Sequence, residues 1–172
     1  MKLTQRLLIT LFIFGFITVV SAKPIPTKKE KRLSVEIALT QFTSFSEKPY
    51  LALWYSEENK TNTPLLVLRA DSKWLRDLKS FWRYIARYQR EKLDGVTSAT
   101  VKSGAHQFTF ELPHNALSKK YRYWLEVVRE NGDRELLNIS IAPNTEHVNS
   151  HLIEKNCVQG KQEIDSFCVS YQ

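Results

Sequence analysis

Alternation of apolar and polar residues predicts several short strands in this chain. Leu33 to Phe42 alternates aliphatic with small or polar side chains, which is typical of a strand with one buried face. Further strands are predicted at 50–55, 65–69, 107–112, 121–130 and 134–141. The last two flank Asn131-Gly132, a pair that favours the positive φ angles of a type I′ hairpin turn.

One segment has helical rather than strand periodicity. Between residues 72 and 90, apolar side chains recur at steps of three and four, which predicts one amphipathic helix. Asp71 or Ser72 can cap its first turn, because either side chain accepts a backbone N–H hydrogen bond. The apolar stripe comprises Trp74, Leu75, Leu78, Phe81, Trp82, Ile85 and Tyr88. A second, basic face comprises Arg76, Lys79, Arg83, Arg87 and Arg90.

Many short strands, one helix and no regular strand–helix alternation predict a mainly β fold, an antiparallel sandwich with one inserted α-helix. An immunoglobulin-like arrangement is the first choice, although the Cys…Trp…Cys core pattern is missing. The sandwich is predicted over residues 33–142. A charged, Pro-rich flexible arm at 23–32 is expected before it, and a C-terminal tail at 143–172 after it.

The first 22 residues have the three parts of a secretory signal peptide. Lys2 and Arg6 precede an apolar run at 7–20, and small residues follow at 21–22. The run is short for a membrane crossing of about 20 residues, so cleavage is favoured over the alternative of a retained anchor.

Export also bears on the two cysteines. Cys157 and Cys168 are expected to form a disulfide, because the compartment is oxidising. Their spacing is not that of a CxxC motif, and the four His are scattered, so neither a redox pair nor a metal site is predicted. No catalytic residues can be assembled from the chain. Nucleic acid is not an expected partner of an exported protein, despite the formal net charge of +7.

The segment from Asp94 to Gly104 (DGVTSATVKSG) is small and polar, which predicts a loop, and its first part, from Asp94 to Thr100 (DGVTSAT), could carry chemistry. It resembles the motif at which ApbE-type transferases attach FMN to exported proteins: Asp, two variable residues, Ser or Thr, Gly, Ala, Ser or Thr. The resemblance implies a phosphoester of FMN on Thr100, with Asp94, Thr97 and Ala99 as the other matching positions. Ser98 stands where the motif has Gly. The alternative is an ordinary turn between a helix and a strand.

Four blocks of the chain resemble segments of one bacterial family, and they occur in the same order as in that family. They are YLALWY, KWLRDLKSFWR, DGVTSATVKSGAHQFTFEL and YWLEVVRENGDRELL. They are similar to the predicted periplasmic proteins of the domain-of-unknown-function family numbered 2271, over about residues 33 to 142. The resemblance implies a periplasmic address and a β-rich domain, without an established activity. It also implies proximity to flavin transferases and PepSY-type membrane redox proteins, which is association rather than mechanism.

Two functional hypotheses follow. The first is a periplasmic flavin-carrying electron-transfer module, a carrier rather than a free-standing enzyme, with FMN on Thr100. An ApbE-type FMN transferase and a PepSY-type membrane redox protein are then the expected partners. The second is a non-catalytic, immunoglobulin-like binding module whose basic helix face meets an anionic partner. A solvated helix face without a partner is the simpler interpretation of those basic residues.

Overall fold

The computed structural model of the protein describes residues 32–43, 48–57, 62–69, 72–113, 115–116, 118–142 and 155–172. Within these residues the chain forms two packed β-sheets, with short helical segments against the outer face of one sheet. This confirms the predicted mainly β sandwich. The predicted signal peptide at 1–22 and residues 23–31 of the predicted arm lie outside the described residues.

The first sheet has four antiparallel strands in the order β5-β1-β9-β8. Its strands are β1 (Arg32–Leu39), β5 (Gly104–Glu111), β8 (Lys155–Gln159) and β9 (Ile164–Tyr171). The alternating aliphatic residues of β1, from Leu33 to Leu39, lie in the core between the sheets. The period-2 pattern of this segment therefore predicted both the strand and its buried face.

The second sheet has five strands in the order β4-β3-β2-β6-β7. Its strands are β2 (Tyr50–Glu57), β3 (Asn62–Leu68), β4 (Thr97–Ser98), β6 (Tyr121–Val128) and β7 (Arg134–Ile141). β4 pairs in parallel with β3, and the other pairs are antiparallel. β2 is buried on both faces: Leu51 and Leu53 contact the core between the sheets, whereas Ala52 and Trp54 contact the helical segments.

The prediction of one continuous helix over 72–90 is wrong. The segment forms a 3₁₀ turn (Ser72–Arg76), a short helix α1 (Lys79–Phe81) and a π turn (Trp82–Ala86). The carboxylate of Glu126 on β6 accepts the N–H groups of Ser80 and Phe81 at 3.1 and 2.8 Å. In a continuous helix those two groups would bond to carbonyls four residues earlier. A buried side chain of the sheet therefore starts a new turn after Leu78, whose ψ angle of 73° is not helical.

The helical periodicity nevertheless identified most of the side chains of this segment that are buried against the sheet. Leu75, Leu78, Phe81 and Ile85 lie in the outer core, while Tyr88 is 64% exposed and is not part of it. The apolar stripe thus ends about one turn earlier than predicted.

The sandwich also extends beyond its predicted boundary at residue 142. Residues 155–172, predicted as a tail, form β8 and β9, and β9 lies in the sheet between β1 and β8. Phe167 and Val169 of β9 are fully buried in the core. The predicted disulfide is confirmed, and it joins Cys157 and Cys168 at directly paired positions of the two strands.

The β6–β7 hairpin is confirmed, but its turn is not of type I′. Among the described residues, positive φ angles occur only at Asn115 and Gly104. The turn is closed by hydrogen bonds from the Gly132 N–H to the Arg129 carbonyl and from the Arg129 N–H to the Asp133 carbonyl. A Cβ atom on Gly132 would lie 2.8 Å from both the Arg129 guanidinium carbon and a carboxylate oxygen of Glu163. Glycine is therefore needed here because the Arg129 and Glu163 side chains pack closely against its backbone, and not because of a positive φ angle.

We expect stability to fall above about pH 10 partly through Tyr123, a fully buried residue whose hydroxyl lies 3.0 Å from that of Tyr171 across the sandwich. Burial raises the pKa of Tyr123, and Tyr171 adds to the shift. At high pH the unfolded chain ionises this tyrosine while the folded protein keeps its proton. The unfolded state then binds fewer protons, and the free energy of unfolding falls by about 1.4 kcal/mol per pH unit.

Urea unfolding of the wild type and of Tyr123→Phe, between about pH 9 and 11, measures this contribution. Lysines titrate in the same range in both proteins, so the difference between the two pH slopes is due to Tyr123. The variant should show the shallower loss. Identical slopes would contradict the assignment.

Candidate functional site

The segment predicted as a loop at 94–100 is partly an edge strand. Residues Asp94–Val96 form a 3₁₀ turn, and Thr97–Ser98 form β4. Thr97 and Ser98 pair with the last two residues of β3, and the N–H of Arg69 donates to the Ser98 carbonyl at 3.0 Å. The backbone just before Thr100 is therefore held by the sheet.

The four candidate residues differ in exposure and in partners. Asp94 and Ala99 are exposed, whereas Thr97 and Thr100 are half-buried. The Thr97 hydroxyl donates to the Leu93 carbonyl at 2.6 Å, so it closes the preceding turn. The Thr100 hydroxyl donates to the carbonyl oxygen of Pro49, which directly precedes β2. The Thr97 hydroxyl thus closes a local turn, whereas the Thr100 hydroxyl joins two segments that are 51 residues apart in the chain.

Thr100 lies at one defined end of the five-stranded sheet. β4 runs parallel to β3 and stops at its end, and the chain then crosses to the start of β2. At that same end β6 finishes, because Tyr50 is paired with Val128. The β6–β7 turn follows directly, so Thr100 and this turn belong to the same end of the sheet.

A cavity of about 330 Å³ opens on the outer side of this end. Its aromatic wall consists of Tyr50 and Trp74, whose rings stack with centroids 6.0 Å apart and planes inclined by 20°. Its charged lining consists of the cations Lys79, Arg129 and Arg134 and the acids Asp77 and Glu130. An aromatic wall next to basic groups suits a flat ligand that carries polar acceptor atoms.

Two of those three cations are held by buried carboxylates. Arg129 donates to both carboxylate oxygens of Glu163, at 2.6 and 2.9 Å, and this hydrogen bonding raises the pKa of its guanidinium. Arg134 donates to Glu126 at 2.6 Å. Lys79 is exposed and makes no ion pair with any residue in the described part of the chain, so its ammonium group is the most adaptable of the three.

A second cleft, of about 350 Å³, lies toward the other end of the same sheet. Trp54 and Trp124 stack there at 6.0 Å, and the indole N–H of Trp124 donates to Ser56 at 3.2 Å. Trp54 is in the middle of β2 and Tyr50 is at its start, while the consecutive residues Lys79 and Ser80 line one cleft each. Along β2, the cleft that contains Trp124 is therefore the farther of the two from Thr100.

The predicted basic face is exposed but is not one helical stripe. All five of its members, Arg76, Lys79, Arg83, Arg87 and Arg90, are exposed. The guanidinium carbons of Arg76 and Arg90 lie 5.3 and 5.4 Å from the centroid of the Trp82 ring, which partly orders them through cation–π contact. An anionic partner for this face stays a prediction.

Sequence reasoning predicted a possible acceptor segment at 94–100 but not its surroundings. Pro49, which binds Thr100, is 51 residues away in the chain, and the Arg129–Glu163 pair is separated by 34 residues. No local spacing connects these residues. Two aromatic residues of the cavity gave a signal, since Tyr50 starts a predicted strand and Trp74 belongs to the apolar stripe of the predicted helix.

Fold and site together define a two-sheet β-sandwich domain with helical turns on one face, a disulfide between paired strands and a candidate site on a surface edge. The chain belongs to the family described as predicted periplasmic protein (DUF2271), whose model matches residues 32–166. Neither a curated protein nor a solved structure matches it. The disulfide is consistent with an oxidising compartment. None of the helices in the described ranges is long and apolar enough to cross a membrane.

Proposed function

We propose that this protein is a periplasmic flavin carrier with FMN linked as a phosphoester to Oγ1 of Thr100. The observation that supports it most directly is the place of this hydroxyl. It is half-exposed, it follows the exposed residues Ser98 and Ala99, and it donates one hydrogen bond to the Pro49 carbonyl. Esterification removes the hydroxyl hydrogen and so breaks this hydrogen bond. The loss costs about 1 kcal/mol of stability, which the folded protein can tolerate.

Serine at position 98 is compatible with this proposal, although the motif has glycine there. Ser98 belongs to β4, and the residues with positive φ in the described part of the chain are Asn115 and Gly104. No left-handed backbone is required at this position. The Ser98 side chain is exposed, so it leaves the neighbouring segment accessible to a transferase.

The attachment chemistry balances with flavin adenine dinucleotide as the co-reactant. Oγ1 of Thr100 attacks the phosphorus on the FMN side of the diphosphate, and the new O–P bond replaces the bond to AMP, which leaves. A base of the transferase takes the hydroxyl proton. In this chain, Thr100 must first release the Pro49 carbonyl.

When bound, the flavin ring supplies one- and two-electron transfer, while the protein holds and positions it. A covalent tether retains the cofactor outside the cytoplasm. A PepSY-type membrane redox protein is the proposed electron partner. The exposed side chains Arg83 and Arg87 offer it a positive surface on which to dock.

Co-expression with an ApbE-type transferase tests the proposal. We expect an intact-mass increase equal to one FMN minus one water, and a flavin-fluorescent band on a denaturing gel. Thr100→Val should abolish both, because it removes only the acceptor oxygen. Thr109→Val, at an exposed position of β5, is the matched control and should keep the label.

Unlabelled wild-type protein, in cells where the same transferase labels its own substrate, would refute the proposal. A label that persists in Thr100→Val would place the ester on another residue, and the assignment of Thr100 would then be wrong.

A further inference from the structure

We infer that the cavity lined by Tyr50 and Trp74, here called the Trp74 cavity, is the docking site for the flavin ring carried on Thr100. This inference rests on the proposed function and states where the ring lies. It is carried by placement, by the aromatic wall and by the exposed ammonium group of Lys79.

Placement favours the Trp74 cavity over the other cleft. The Thr100 hydroxyl is hydrogen-bonded to Pro49, and Tyr50, the next residue, lines the cavity. The other cleft begins at Trp54 and Ser56. Trp54, the nearer of these two, lies about 13 Å from Tyr50 along β2, at the usual rise per residue. A ring on a ribityl phosphate tether reaches the near site at a high effective concentration.

The aromatic wall suits the ring. Trp74 is half-buried and is backed by Tyr50, with the two rings inclined by 20°. The Lys73 ammonium lies 4.7 Å from the centroid of the Trp74 ring, at the end of an exposed side chain. An isoalloxazine ring is electron-poor, so it can take the place of that cation against the electron-rich indole.

The charges orient the ring. Its pyrimidine edge carries carbonyl oxygens, which are acceptors only. Lys79 offers an ammonium donor at the cavity wall, and it has no ion-pair partner among the described residues. Arg129 and Arg134 are paired with Glu163 and Glu126, so they add little positive potential. Asp77 and Glu130 also line the cavity, but their carboxylates cannot donate to these carbonyl oxygens. The pyrimidine edge should therefore face Lys79.

Flavin fluorescence of the labelled protein tests the docking, because stacking on indole or phenol quenches the ring. The folded wild type should be quenched and should recover its fluorescence on denaturation. Loss of a stacking contact of about 1 kcal/mol lowers the ratio of docked to undocked ring about fivefold, so Trp74→Leu should be brighter when folded.

Lys79→Ala is the second variant, and it should also raise the folded fluorescence. Its side chain is exposed, so folding is not at risk. Tyr84→Leu removes a 52% exposed aromatic ring from the wall of the other cleft and is the control, which should leave the quenching unchanged.

The outcomes separate the two claims. Labelled Thr100 with equal quenching in the wild type, Trp74→Leu and Lys79→Ala overturns the docking site and leaves the carrier function standing. If the quenching changed only in Tyr84→Leu, the ring would lie in the other cleft, and the inference would also be overturned. Wild-type protein that takes no label overturns both claims.

Discussion

Replacement of Gly160 by alanine is expected to destabilise the protein by about 4 kcal/mol. A Cβ atom at this position would lie 1.9 Å from the backbone oxygen of Ile164 and 2.8 Å from its carbonyl carbon. These atoms cannot turn aside as the end of a flexible side chain could. Ile164 is fully buried, and the Gly160 N–H is hydrogen-bonded to the Asp165 carbonyl at 3.2 Å. The β8–β9 hairpin must therefore open to admit one methyl group.

Gly95→Ala is the matched control for this substitution. A Cβ atom on Gly95 meets nothing within 4 Å. The control should stay within about 0.5 kcal/mol of the wild type in urea unfolding, with the disulfide intact in all three proteins. A Gly160→Ala variant as stable as the control would show that the Ile164 carbonyl does not pack against Gly160 in this hairpin.

The strands that the sequence predicted well are those with one clear buried face or a dense aromatic run. β1 and β5 alternate, so period 2 revealed them, and β7 was predicted with its observed bounds. β2 is buried on both faces and lacks alternation, but its YLALWY run follows a proline and is too short for a helix.

The last two strands were missed for physical reasons. β8 is a short edge strand whose five residues alternate only between exposed and half-buried positions, so its apolar signal is weak. β9 has four consecutive buried residues, Phe167 to Ser170, rather than a clean alternation. The two cysteines indicated a disulfide correctly, but the pairing alone did not show that β9 lies between β1 and β8.

The broken helix shows the limit of local reasoning more sharply. Its apolar spacing is helical, and no proline or glycine interrupts residues 72–90. The interruption comes from Glu126, which is 0% exposed and takes two backbone N–H groups from a segment more than 40 residues away. Arg134 balances that carboxylate. The contact between Thr100 and Pro49 is equally non-local, because 51 residues separate them in the chain. The motif singles out Thr100, but only the fold shows that Pro49 lies next to it.

Glu135 makes an equally non-local connection, and it joins the two sheets. It lies on β7 of the five-stranded sheet and is 8% exposed. Its carboxylate accepts four backbone N–H groups of the β8–β9 turn in the other sheet. The donors are Lys161, Gln162, Glu163 and Ile164, at 2.6, 3.1, 2.9 and 2.9 Å. One acidic side chain thus satisfies most of this turn's backbone donors.

Glu135→Ala is expected to cost about 3–5 kcal/mol in the free energy of unfolding. The N–H groups of Lys161 and Gln162 belong to exposed residues and can bond to water, whereas those of Glu163 and Ile164 are buried and would lose their acceptor. Glu135→Gln keeps one acceptor oxygen for that buried pair, so it should fall between the alanine variant and the wild type.

Glu111→Ala, at an exposed glutamate of β5, is the control and should change stability by no more than about 0.5 kcal/mol. Hydrogen exchange adds a local measurement, because the amides of Glu163 and Ile164 should lose protection in Glu135→Ala before the rest of the four-stranded sheet does. If the three variants were equally stable, or if these two amides stayed protected, the carboxylate would not hold the turn. The sheets would then be joined by apolar packing and by the Arg129–Glu163 and Tyr123–Tyr171 contacts.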